Sequence, residues 1–138
     1  MKGKLITLWL AWLFAFTAVF FVACDKGEKE VQPVAIDLTG VVVEEGDTLL
    51  DIMTEMKAEG KLSFKFVDGM VTSINGKANS ITYNPCWMLY TSDDDPAVSN
   101  DAWGTYEYEG QTLASAALGA DSLLVKTGAL YVWVYQTF

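Results

Sequence analysis

Gly46-Asp-Thr-Leu-Leu-Asp-Ile-Met-Thr-Glu-Met-Lys-Ala-Glu-Gly60 runs directly into Lys61-Leu-Ser-Phe-Lys-Phe-Val-Asp-Gly-Met-Val-Thr-Ser-Ile-Asn-Gly76, and the spacing of the apolar residues changes at the junction. In the first half, Leu49, Ile52, Met53 and Met56 follow i, i+3, i+4, i+7, which gives a helix one apolar face. Thr48 is placed to cap it, with Asp51 three residues on as the short-acid form of a capping box. Gly60 is the expected stop, and Lys57 lies in the last turn, where the helix dipole favours a cation. In the second half Leu62, Phe64 and Phe66 alternate with Ser63 and Lys65, a strand period. Asp68-Gly69 marks a tight turn, Met70 to Ile74 alternates again, and Asn75-Gly76 closes the segment.

Working outward, Ile36 to Val43 reads as a first strand, rich in β-branched residues and interrupted by Gly40. Cys86-Trp-Met-Leu-Tyr90 is a brief aromatic run that predicts a strand buried on both faces. Ala129 to Tyr135 predicts a last, central strand, again apolar on both faces. Between them lie a polar loop from Ser92-Asp-Asp-Asp-Pro96 to Asp101, an extended aromatic segment from Trp103 to Glu109, and the small-residue stretch Thr112 to Ala120, whose conformation the sequence leaves open. The order strand, helix, hairpin, strands predicts an α+β fold, a sheet with one helix across it.

The N-terminus has a different character. Met1-Lys-Gly-Lys4 precedes an uncharged run from Leu5 to Ala23, then Cys24. Two lysines before an apolar run form a secretion signal. Val22-Ala23-Cys24 resembles the lipobox at which bacterial lipoproteins are cut and lipidated on the cysteine, with Phe21 where leucine is usual. The expected protein is therefore extracytoplasmic and lipid-anchored through Cys24 to the bacterial cell membrane at the cell surface. Two alternatives stay open. The run could remain as an uncleaved transmembrane helix, since it would span roughly 28 Å, or the protein could be freely secreted. The expected organisation is a signal peptide over 1–23, a charged tether with Gly27 and Pro33 over 24–34, and one domain over 35–138.

Composition narrows the chemistry. The net charge is −9, and all the basic residues are lysines. Nucleic acid is excluded as a partner, because it needs phosphate neutralisation by Lys or Arg. Contact with anionic lipid is expected through the lipid anchor alone. The chain has no histidine, which excludes a Ser-His-Asp triad, a Cys-His pair and a histidine-ligated metal. With Cys24 lipidated, Cys86 is left between Pro85 and Trp87-Met88 as a buried packing thiol. Glu44-Glu45 and Glu107/Glu109 are paired acids with nothing to place them across a cleft, so no enzyme is expected.

Six segments together carry a resemblance: Gly46-Asp-Thr-Leu-Leu-Asp-Ile52, Gly69-Met-Val-Thr-Ser-Ile-Asn-Gly76, Trp87-Met-Leu-Tyr90, Leu118-Gly-Ala-Asp-Ser-Leu123, Lys126-Thr-Gly128 and Tyr131-Val-Trp-Val-Tyr135. The pattern, over about residues 35–138, is similar to the transcobalamin-like C-terminal domain of bacterial surface lipoproteins, a relative of the β-domain of transcobalamin and intrinsic factor. The resemblance implies a ubiquitin-like β-grasp fold, a mixed sheet packed on one helix. It also implies a small-ligand-binding module, with cobalamin or another corrinoid as the bound ligand and an uptake transporter as the partner. Two departures stand out: an acidic loop replaces a short Asn-Gly hairpin after the Trp strand, and Lys126-Thr-Gly-Ala129 replaces Lys-Asp-Gly-Asp. The alternative function is an adhesion module of the envelope that meets a protein or glycan.

The candidate ligand-binding residues are Trp103, Tyr106 and Tyr108, with Tyr90 from the Trp strand. Tyr106 and Tyr108 share one strand face, and aromatics there would stack on a flat ligand or a sugar ring; the competing reading is structural packing. Trp87 and Trp133 are expected in the core. Asp93, Asp94 and Asp95 with Asp101 invite a calcium site, but their spacing departs from the EF-hand loop and the competing reading is a solvated turn.

Overall fold

Thr48 opens the one helix of the described residues, which are 30–138 of this computed structural model. The leader and Cys24, and with them the expected signal peptide and lipidation site, lie outside the described residues. Helix α1 spans Leu49–Ala58. Its capping box forms as the spacing predicts: Asp51 N donates to Thr48 Oγ1 at 3.2 Å, and Thr48 N donates to Asp51 Oδ2 at 2.9 Å. Leu49, Ile52 and Met53 are buried. At the other end Gly60 takes φ +75°, the left-handed conformation open to glycine, and Lys61 N donates to Met56 O at 2.9 Å. Lys57 Nζ reaches forward to Phe64 O at 3.0 Å and lies over the Phe64 ring.

Among the described residues there are eight strands: β1 Val34–Ile36, β2 Phe64–Val67, β3 Met70–Ile74, β4 Lys77–Ala78, β5 Cys86–Thr91, β6 Ser99–Tyr108, β7 Gln111–Ala116 and β8 Tyr131–Gln136. Strands β2-β3-β4 form a small sheet. Both of its turns place two successive residues at positive φ, Asp68 with Gly69 and Asn75 with Gly76, as a primed two-residue hairpin requires. The larger sheet has the order β1-β8-β5-β7-β6.

The fold is α+β, and every strand pairing among the described residues is antiparallel. This corrects the expected mixed sheet. A parallel pair needs a crossover joining two neighbours of one sheet, whereas α1 leads from β1 of the large sheet to β2 of the small one. Three boundaries also move. The first strand ends at Ile36 because the chain turns at once: Thr39 N donates to Asp37 Oδ1 and Val41 N to Leu38 O. The polar loop ends at Val98, and Asp101 belongs to β6. The stretch left open resolves into β7 and a turn. Val31–Phe138 form one unit.

The core forms on both faces of the large sheet. Along β8, Tyr131 and Trp133 join Ile36, Trp87 and Leu89 against α1 and against Phe64, Val71 and Ile74 of the small sheet. The intervening Val132 and Val134 face the other way and pack with Tyr90 and Leu113. Strand β8 lies between β1 and β5, which is why it is apolar on both sides, as its sequence predicts. Tyr131 is fully buried with Lys126 N donating to its hydroxyl, and burial pushes that hydroxyl's pKa up. Cys86 is buried, and burial raises its thiol likewise. No helix of the described residues is long and apolar enough to cross a membrane.

Candidate functional site

Strand β6 lies at the edge of the large sheet and, among the described residues, pairs only with β7. Its register is interrupted. Asn100 lies opposite Ser115, and the next paired residue, Thr105, lies opposite Ala114. Residues 101–104 therefore have no partners and bow out of the ladder, a bulge in an edge strand. Ala102 N donates to Asn100 Oδ1 at 3.0 Å and turns the chain outward. Gly104 at φ +131° turns it back, in a conformation that L side chains rarely adopt. Trp103, inside the bulge, is 65 % exposed.

Beyond the bulge the pairing is regular, with Tyr106 opposite Leu113 and Tyr108 opposite Gln111. Tyr106 and Tyr108 share a strand face and are half-buried. The Tyr106 ring lies 5.5 Å from that of Tyr90, centre to centre, at 36°. Tyr90 itself is only 3 % exposed, and its hydroxyl accepts from Gln136 Nε2 at 2.6 Å. The structure thus brings Tyr90, Tyr106 and Tyr108 into one cluster, in which Tyr90 supports Tyr106 from within the sheet and offers no surface of its own. Trp103 stands apart from that cluster and carries the exposed indole. Asp101, Glu107 and Glu109 are exposed on the same hairpin, and Glu107 accepts from the Thr112 hydroxyl.

The aspartate-rich loop has another use. Asp93 Oδ1 accepts from Asp95 N at 3.1 Å, and Asp95 Oδ1 accepts from Ala97 N at 3.0 Å. Val98 N and Ser99 N both donate to Asp95 O, and Ser99 Oγ donates to Asp93 O at 2.6 Å. Asp93 and Asp95 shape the turn into β6 by side-chain to backbone bonds, while Asp101 lies apart in the bulge. Among the described residues no three acidic or thiol side chains are placed to hold a metal ion.

Trp87 and Trp133 are buried, as their flanking residues predict; Trp87 Nε1 donates to Lys77 O at 2.8 Å. Sequence reasoning found the aromatics of β6 but not the bulge that displays one of them. The signal was Gly104 itself, since a glycine inside a strand pattern marks a bulge. The Glu109-Gly110 turn, both residues at positive φ, was equally present and passed over. Comparison of the chain with protein-family models gives no match, nor does comparison with curated proteins or with solved structures.

Proposed function

We propose that this chain is an exported, membrane-tethered binding module that holds its ligand on the bulged edge strand β6. One observation carries the reading: Trp103 is 65 % exposed on a bulge of a strand whose other aromatics are at least half-buried. A large aromatic kept in water on an ordered element forgoes burial worth about 2 kcal/mol, and a ligand that covers it recovers that loss. An indole standing clear of the surface suits stacking on the ring face of a sugar in an envelope glycan. Tyr106 and Tyr108 follow it on the same strand, and Tyr90 backs Tyr106 from within the sheet. Export and lipidation at Cys24 rest on the leader sequence alone.

Kinship with the transcobalamin-like domain, and with it a β-grasp ancestry, rests on the six sequence segments; the antiparallel pairing of β1 with β8 departs from the mixed sheet of that reading. Cobalamin is the ligand it implies, and its corrin ring is a second flat partner for Trp103. The test compares the full-length protein with Trp103→Ala on immobilised neutral envelope glycans and on gel filtration with cobalamin. Retention on glycan that the variant loses supports the sugar reading. Co-elution of the cobalamin colour, lost in the variant, selects the corrinoid. Equal binding by the two proteins in every case overturns the assignment of the site to Trp103.

A further inference from the structure

We infer that the groove between the small sheet and the loop Ser80–Pro85 is a second ligand site, one that takes a sugar bearing a carboxylate. The groove is open to solvent and has a volume of about 550 Å³, within the range of small-molecule sites. Ser63, Lys65, Thr72 and Ser73 line it from β2–β3 and the residue before them, and Asn79 and Tyr83 from the loop side.

The loop is built rigidly. Ser80 N donates to Pro85 O and Tyr83 N to Ser80 O, each at 3.0 Å, and Asn84 N donates to Ser80 Oγ at 2.9 Å. Phe138 N donates to Asn84 Oδ1 at 3.0 Å. Asn79 fastens the base, its Nδ2 donating to Val71 O and its Oδ1 accepting from Trp87 N. Yet this braced loop leaves Ile81 99 % and Tyr83 54 % exposed, and Tyr83 sits at φ +58°, which a bulky residue adopts only at a cost. Both residues border the groove. A stiff loop that holds two apolar side chains in water beside a cavity is preorganised to cover something.

The lining says what kind of ligand fits. Tyr83 and Ile81 offer an apolar edge for the C–H face of a sugar ring, and the exposed Ser63 offers a hydroxyl. Asn79 is already committed to Val71 and Trp87, so charge recognition falls to Lys65. Lys65 forms no ion pair among the described residues. In a chain with 18 acidic residues and net charge −9, this groove is lined, among the described residues, by a lysine and by no carboxylate. A carboxylate on the sugar would meet Lys65 without repulsion from the lining.

The experiment titrates the full-length protein with trigalacturonate and with the neutral galactose trisaccharide, following heat at low salt. The acidic sugar is expected to bind about tenfold tighter or better, the worth of one charge-assisted contact. Lys65→Gln is expected to erase that difference. Tyr83→Asn removes the ring while keeping a residue at home at positive φ, and is expected to weaken both sugars. Trp103→Ala is expected to leave the preference intact, which separates this site from the one on β6. No preference for the acidic sugar, a preference that survives Lys65→Gln, or one that disappears in Trp103→Ala would each overturn the inference.

Discussion

Trp103 and Tyr90 are both aromatic candidates in the sequence, and their surroundings give them opposite roles. Trp103 touches little and stands in solvent, so Trp103→Ala is expected to change stability by less than about 0.5 kcal/mol while removing binding. Tyr90 is buried against Tyr106, Val132 and Leu113, so Tyr90→Ala is expected to destabilise by about 3 kcal/mol or more. Urea denaturation of the two variants beside the wild type checks both. At the helix start, Thr48→Ala removes the acceptor for Asp51 N and is expected to cost about 1 kcal/mol. The Thr48 backbone N–H, and then its hydroxyl, hold the Asp51 carboxyl below its ordinary value of 3.8. A depressed acid stabilises the fold above its unfolded pKa and loses that contribution as pH falls through its folded one. Asp51→Asn should therefore flatten the acid limb of the stability profile below about pH 4 and leave its alkaline side unchanged, as thermal melts at stepped pH would show. The cap was legible from four letters because its chemistry is local. The burial of Tyr90 was not, because it depends on which strands become its neighbours.

At the scale of elements, local chemistry again predicted best. Helix α1, the two hairpin turns at Asp68-Gly69 and Asn75-Gly76, and the strands β5 and β8 lie where period and turn residues place them. The errors lie where a short-range pattern competes with a turn or a register. Val41 to Val43 are β-branched, but Asp37 bends the chain before they can pair. Gly104 marks the bulge in β6, but its extent, residues 101–104, depends on the alignment with β7, which one strand's sequence does not encode. That alignment yields a further prediction. Asn100 and Thr105 face consecutive residues, Ser115 and Ala114. Deleting residues 101–104 should therefore close the ladder into a continuous hairpin. The shortened protein is expected to keep a cooperative unfolding transition by circular dichroism and to lose retention on glycan. A protein that fails to fold would show that the bulge holds the edge strand together rather than serving the ligand.

For the whole molecule, the larger sheet carries β1, where the described chain enters, at one edge and the bulged β6 at the other. A module tethered ahead of β1 would carry its Trp103 surface on the far edge of that sheet. The tether was read from composition, and the fold class from element order; the antiparallel pairing throughout was not legible, because strand direction is decided by which elements share a sheet. Export makes its own prediction. Cells fed a labelled fatty acid should label the wild-type protein and not Cys24→Ala, and label on both would remove Cys24 as the anchor. The most direct test of the account is the indole N–H spectrum of the 15N-labelled protein during titration with the glycan it retains. The account predicts that the Trp103 signal shifts with saturation while those of Trp87 and Trp133 stay in place. A Trp103 signal that stays fixed while glycan binds would contradict it.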